Sequence, residues 1–266
     1  MVDIDGVQVI FQLTPNTETP AEVNFYVPQY EALCMAENAC HTLHNIQTLR
    51  GATVRDARQW SRYLDEAHMH FGHRTNVIFA SHHWPTWDPD NVRSFLTKRR
   101  DMYAYLHDHT LHMLNRGFTG LEIAEKIKLP LSLAASSHLR GYYASVSHNA
   151  KGIYNRYMGW YDGNPAHLWE HTPVKAARRY VNCVGGGSAV VEKAKGYIKR
   201  KDLRFAATLL NHAVFADPDD EVAKEELACV YDKLGYGATS TLLAPKSFAR
   251  APTLPCMWSR TTQPLG

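Results

Sequence analysis

The run Val7-Gln8-Val9-Ile10-Phe11-Gln12-Leu13 decides how the first part of this chain folds. Short runs rich in Val, Ile and Phe, bounded by Pro, Asn or Gly, form strands. Val77-Ile78-Phe79-Ala80-Ser81 fits the same description. Ala32-Leu33-Cys34-Met35-Ala36 fits it less well, because Ala, Leu and Met also suit helix. Each run is followed shortly by a metal-capable residue: Glu18, Glu37 and His82 respectively. If the three runs lie in one sheet, the trio converges at one edge, where loops carry function. Carboxylate and imidazole together suit zinc or a similar divalent ion. The alternative from spacing alone is three unrelated polar residues at strand ends.

Composition narrows the setting. Hydrophobic residues make up 45% of the 266 and charged residues 21%, as expected of a globular protein of one large or two ordinary domains. A formal net charge of +3 is too small to argue for nucleic acid or an anionic membrane. No apolar segment approaches a membrane span, and Met1-Val2-Asp3-Ile4-Asp5 does not read as a signal peptide. Cys34, Cys40, Cys183, Cys229 and Cys256 contain no C-x-x-C pair and read as free thiols. A cytoplasmic address is the expectation.

Up to Pro85, short strands mix with a helical stretch expected over Asn38 to Phe71 and broken near Gly51. Beyond Asp90 the pattern is helical. Val92, Phe95, Leu96, Met102, Tyr103, Leu106, Thr110 and Leu114 recur at helical spacing, and Gly117 follows as a stop. Further helices are expected at Gly120 to Lys128, Tyr142 to Tyr157, Val174 to Val184 and Ser188 to Lys199. The last pair, Leu203 to Ala216 and Glu221 to Gly235, turns at Asp217-Pro218 like a single tetratricopeptide-type hairpin. From Thr239 a tract of Ser, Thr and Pro without acidic residues is expected to have no fixed fold.

Ala36-Glu37-Asn38-Ala39-Cys40-His41-Thr42-Leu43-His44-Asn45, with Pro20-Ala21-Glu22, Thr48-Leu49-Arg50-Gly51-Ala52 and Val54-Arg55-Asp56-Ala57-Arg58, resembles the alkyl sulfatases of the metallo-β-lactamase superfamily. So do Ser81-His82-His83-Trp84-Pro85, Arg140-Gly141-Tyr142-Tyr143, Ser147-His148-Asn149 and Gly159-Trp160-Tyr161-Asp162-Gly163-Asn164-Pro165-Ala166. The likeness runs from about Gly6 to about Gly237. It implies an α+β fold in which residues 1–89 form the second half of a metallo-β-lactamase αβ domain. Residues 90–237 would form an all-α alkyl sulfatase dimerisation domain with the tetratricopeptide-like hairpin, and 238–266 a tail. The tail departs from the family, which continues toward a sterol-carrier-like module.

The resemblance also implies chemistry: two zinc ions activate water to cleave a sulfate ester. Of the family ligands, Glu18, Glu37 and His82 match the later group. The earlier His-x-His-x-Asp-His motif has no match, so a truncated form is expected. His68-Met69-His70 and His107-Asp108-His109 do not replace it, since residues two apart on a helix diverge. His83 either packs near Trp84 or supports a metal ligand from behind. Arg50 is the sulfate-contact candidate, because guanidinium matches a tetrahedral oxyanion. His148 and Asn149 are further substrate-binding candidates, and Trp84, Trp87, Trp160 and Tyr161 either line an alkyl channel or pack in the core. The expected partners are a second copy of the chain, as a homodimer, and an alkyl sulfate substrate. Two functional readings stand: an alkyl sulfatase, and a non-catalytic dimerisation module.

Overall fold

The computed structural model describes residues 1–237, which fall into two compact units, Met1–Gly163 and the described part of 164–266. The Ser- and Thr-rich tail lies outside the described residues. The first unit opens with a six-stranded sheet in chain order: β1 (Val2–Ile4), β2 (Val7–Leu13), β3 (Val23–Val27), β4 (Ala32–Cys34), β5 (Val77–Phe79) and β6 (Thr86–Trp87). Asp5 and Gly6, both at positive φ, make the tight turn that pairs Val2 with Val9 and Ile4 with Val7. Neighbours are antiparallel except β4 and β5, which are parallel. A parallel pair needs a long crossover, here residues 35–76 with α1 (Ala57–Phe71) inside it. Ala32, Leu33 and Cys34 are all buried, which explains why β4 lacks the alternation of a half-exposed strand.

The helix expected from Asn38 begins only at Ala57, where the Asp56 side chain caps it by accepting from the Gln59 amide at 3.0 Å. Residues 35–56 form a long irregular loop instead. Its backbone groups find partners far away: Leu43 N donates to Arg140 O and Ala144 N donates to Leu43 O. Buried main-chain groups need such partners, and a helical template for this segment would forfeit them. Asn38, Thr42, His44, Asn45, Thr48 and Arg55 are buried along it.

α2 (Pro89–Asn115) runs the length expected, with Pro89 at its start and Asp88 accepting from the amides of Asp90 and Asn91. Its apolar face packs on α1, with Trp60 stacked on Tyr103 at 4.6 Å between ring centroids. α3 (Gly120–Lys126), α4 (Leu131–Ala134) and α5 (Val146–Met158) complete the unit, and α5 packs against α2 and α3. The expected boundary after residue 89 is therefore not where the compact unit ends. α2 supplies the inner wall against α1 and the loop, so the unit closes only at Gly163.

The second unit holds α6 (Pro173–Val184), α7 (Gly187–Lys199), α8 (Leu203–Ala216) and α9 (Glu221–Tyr236), close to the bounds expected from spacing. Val190, Ala194, Ala206, Leu210, Leu227 and Val230 form its core. Among the described residues no helix is long and apolar enough to cross a membrane.

A carboxylate and imidazole cluster at one sheet edge

Strand direction explains why distant residues meet. β2 is antiparallel to β3, β3 to β4, and β4 is parallel to β5, so β2, β4 and β5 all run the same way. Glu18, Glu37 and His82 each follow one of these strands and emerge at the same edge. Two turns there are tied together, since Ser81 N donates to Ala36 O at 2.8 Å. Ala36 and His83, which flank Glu37 and His82, both adopt left-handed backbone (φ 46° and 71°). Non-glycine residues in that region cost about 1–2 kcal/mol each and persist where the surroundings impose them.

Glu37 is the hub. Its Oε1 lies 3.2 Å from His82 Nε2 and its Oε2 lies 3.2 Å from His44 Nε2. Glu22 Oε1 accepts from the Glu37 amide at 3.2 Å and holds the turn. One ligand-capable atom each from Glu18, Glu37 and His44 lie within 4.8 Å of one another. Carboxylate oxygens and imidazole nitrogens are the donors a zinc-like ion takes. The structure thus brings Glu18 and Glu37 together, joins His82 through Glu37, and adds His44, which sequence reasoning had placed on a helix. The His41-x-x-His44 spacing was visible, but the helical reading hid its direction.

Arg55 organises the buried side of the cluster. Its guanidinium is ion-paired with the Glu18 carboxylate, and its Nε donates to Glu18 O at 2.7 Å. Nη1 donates to Asn45 O at 2.8 Å and reaches His44 Nδ1 at 3.2 Å. A guanidinium only donates, so Nδ1 accepts and the neutral imidazole carries its proton on Nε2, facing Glu37. Burial, reinforced by Arg55, pushes the His44 pKa down to about 4. Burial raises the Glu18 carboxyl, and the Arg55 charge opposes that rise.

The remaining candidates divide. Arg50 is exposed on the loop, and its charge, after that of Arg55, opposes the rise that burial imposes on the Glu18 carboxyl. His148 Nδ1 pairs with Ser145 Oγ at 2.7 Å, at the cap of α5. Asn149 is fully buried, and its two amide ends are used within the protein. Its Oδ1 accepts from Ile46 N at 3.0 Å and its Nδ2 donates to His44 O at 2.9 Å. A side chain so enclosed, with both amide ends on the loop backbone, holds the loop. Trp84, Trp87 and Trp160 are exposed, not core residues. His68, His70, His107 and His109 sit on α1 and α2 as expected and stay outside the cluster.

Comparison with known proteins bears on the whole arrangement. Residues 119–248 match the family model for alkyl sulfatase dimerisation. The chain is 46% identical over 237 residues to a linear primary-alkylsulfatase of Pseudomonas sp., covering 89% of this chain and 35% of that protein. It is 44% identical over 238 residues to an alkyl/aryl-sulfatase of Saccharomyces cerevisiae, covering 90% of this chain and 37% of the relative. The chain thus carries an alkyl sulfatase dimerisation match and is homologous to part of these alkylsulfatases. The solved stereoselective inverting sec-alkylsulfatase of Pseudomonas sp. superposes with a TM-score of 0.92 at 41% identity, over 99% of this chain and 41% of that one. A double mutant of the same kind of enzyme gives 0.93 at 42% identity, over 95% of this chain and 40% of that one. The chain spans a little over a third of the length of the curated relatives just named.

Proposed function

We propose that this chain contributes one share of a zinc-dependent alkyl sulfatase site, which hydrolyses an alkyl sulfate ester to alcohol and sulfate. The observation that carries the reading is the Glu37 hub, with His44 and His82 on its two oxygens and Glu18 beside it. Glu18, Glu37 and His82 would hold metal, completed to two zinc ions by family ligands that have no counterpart here. The bound metal supplies a lowered pKa for water and a positive field at the ester. The chain's own residues do the rest. Arg50 offers an exposed guanidinium to the sulfate oxygens. His148 remains a candidate near the substrate. His44 keeps a proton on Nε2 at the edge of the cluster. Arg55 neutralises Glu18 and fixes the tautomer of His44.

The same reading takes the sheet and α1 as part of a metallo-β-lactamase αβ layer, and α8 with α9 as a tetratricopeptide-like hairpin. It takes the chain to pair as a homodimer, supported by the dimerisation family match over residues 119–248. Cys34, Cys40, Cys183 and Cys229 are free, which suits a cytoplasmic address. The alternative, a non-catalytic dimerisation module, is favoured by that match and by the incomplete ligand set.

Alone, the zinc-loaded chain should bind the metal weakly and hydrolyse dodecyl sulfate poorly, because the donors present leave two ions short of ligands. Joined to a homologous first half it should turn over. Zinc stoichiometry and alkyl sulfate hydrolysis on both forms decide between the readings, and a joined form that binds zinc but stays inert leaves the dimerisation module.

A further inference from the structure

Arg99 sits where its helix should carry an apolar residue. On α2 the buried stripe runs Val92, Phe95, Leu96, Arg99, Met102, Tyr103 and Leu106, so a cation interrupts a core-facing row. The residue is only 1% exposed. Its three hydrogen bonds all go to main-chain carbonyls: Nη1 to Cys40 O and to His138 O at 3.0 Å, and Nη2 to Thr42 O at 2.7 Å. The guanidinium also lies over the Phe95 ring, 5.5 Å from its centroid. Its Nε is buried without a hydrogen-bond partner. Burying a cation on neutral acceptors, with two of its five N–H groups outside these bonds, is an expensive way to fill a core position.

What the arrangement secures is the path of the loop between Glu37 and His44. Cys40 O and Thr42 O belong to that loop, and His138 O belongs to the turn whose Arg140 O accepts from Leu43 N at 2.9 Å. A planar fork binds carbonyls of two separate segments at once, which a lysine ammonium cannot match in geometry. We propose that Arg99 is a positioning residue for the carboxylate and imidazole cluster, acting through the carbonyls of Cys40, Thr42 and His138 to fix where Glu37 and His44 stand. The link to metal rests on the zinc reading above; the link to the loop does not.

The test uses the full chain with Arg99→Lys, which keeps the charge and loses the fork, and Arg99→Met, which removes the buried charge. Amide hydrogen exchange at Leu43, Tyr143 and Ala144 reports loop order, and competition with a chromophoric chelator reports zinc affinity. Both variants should retain helical circular dichroism. Exchange at the three amides should rise at least about tenfold, and zinc affinity should fall about tenfold. Arg100→Gln, at the neighbouring position of α2, removes ion pairs to Asp65 of α1 and Asp101 of α2 and should leave both readouts unchanged. Unchanged exchange in a folded Arg99 variant overturns the proposal. Unfolding of both variants also overturns it, since Arg99 would then support the unit at large. If the wild-type chain binds no zinc while exchange still rises in the variants, the zinc reading fails and the positioning role stands.

Discussion

Glu37 commits both carboxylate oxygens to imidazoles, so its side chain is held from two sides before any ligand arrives. Glu37→Gln keeps the shape and removes the charge. In the form joined to a homologous first half, it should lower zinc affinity by about 100-fold or more, above the 10–100-fold typical of supporting partners. Arg50→Ala should keep zinc stoichiometry and lower alkyl sulfate turnover about 10- to 100-fold, the range of a lost charge-assisted hydrogen bond. Full activity in the first variant, or zinc loss in the second with normal folding, would sink the assignments. Acid provides a separate handle. Burial, with Arg99 adding, pushes the His138 pKa from 6.5 down to about 3. Between those values the unfolded chain takes a proton that the folded chain refuses, so stability is full above about 6.5 and falls as pH drops toward about 3. The urea midpoint should decline over that window, and His138→Gln should make the decline shallower. An unchanged slope in that variant would assign the acid sensitivity elsewhere, His44 being the next group with the same sign.

At the scale of elements, α5 acts as a splint for the site loop. Asn149 grips His44 O and Ile46 N, Gly152 lets the helix approach Gln47 and Ile46, and Arg156 donates to Val54 O at 2.6 Å. Asn149→Ala leaves a buried donor and a buried acceptor unpaired, which should cost about 2–4 kcal/mol in chemical denaturation. A loss below about 0.5 kcal/mol would show that water replaces the amide. The helices of this chain were legible because apolar spacing, caps and stops agree locally: Asp88-Pro89 opens α2, and Gly185 closes α6. The strands after which Glu18 and His82 follow were legible for the same reason. The loop 35–56 was not, since nothing within it announces that its partners are Arg99, Arg140 and Asn149. His44 and Arg55 went unassigned for that reason, and Asn149, expected at the substrate, also braces the loop. The Asp5-Gly6 turn and the strand β1 that it folds onto β2 were not among the expected elements.

At the scale of the whole molecule, each compact unit has its own core. Residues 164–237 bury Val190, Leu210, Leu227 and Val230 among four helices, so this segment should fold alone with a cooperative thermal transition. A non-cooperative melt would show that it needs the first unit. The first unit carries a different consequence, set by the order in which its parts are made. Glu18, Glu37 and His82 leave the ribosome before Asn149 does, and Asn149, 105 positions after His44, supplies one of the bonds that hold His44. Closing so long a loop requires α2 and α5 to be present and docked. The cluster is therefore completed only after α5 is made, although its residues are synthesised before that helix, and a metal ion that meets the nascent chain finds the donors before it finds their arrangement.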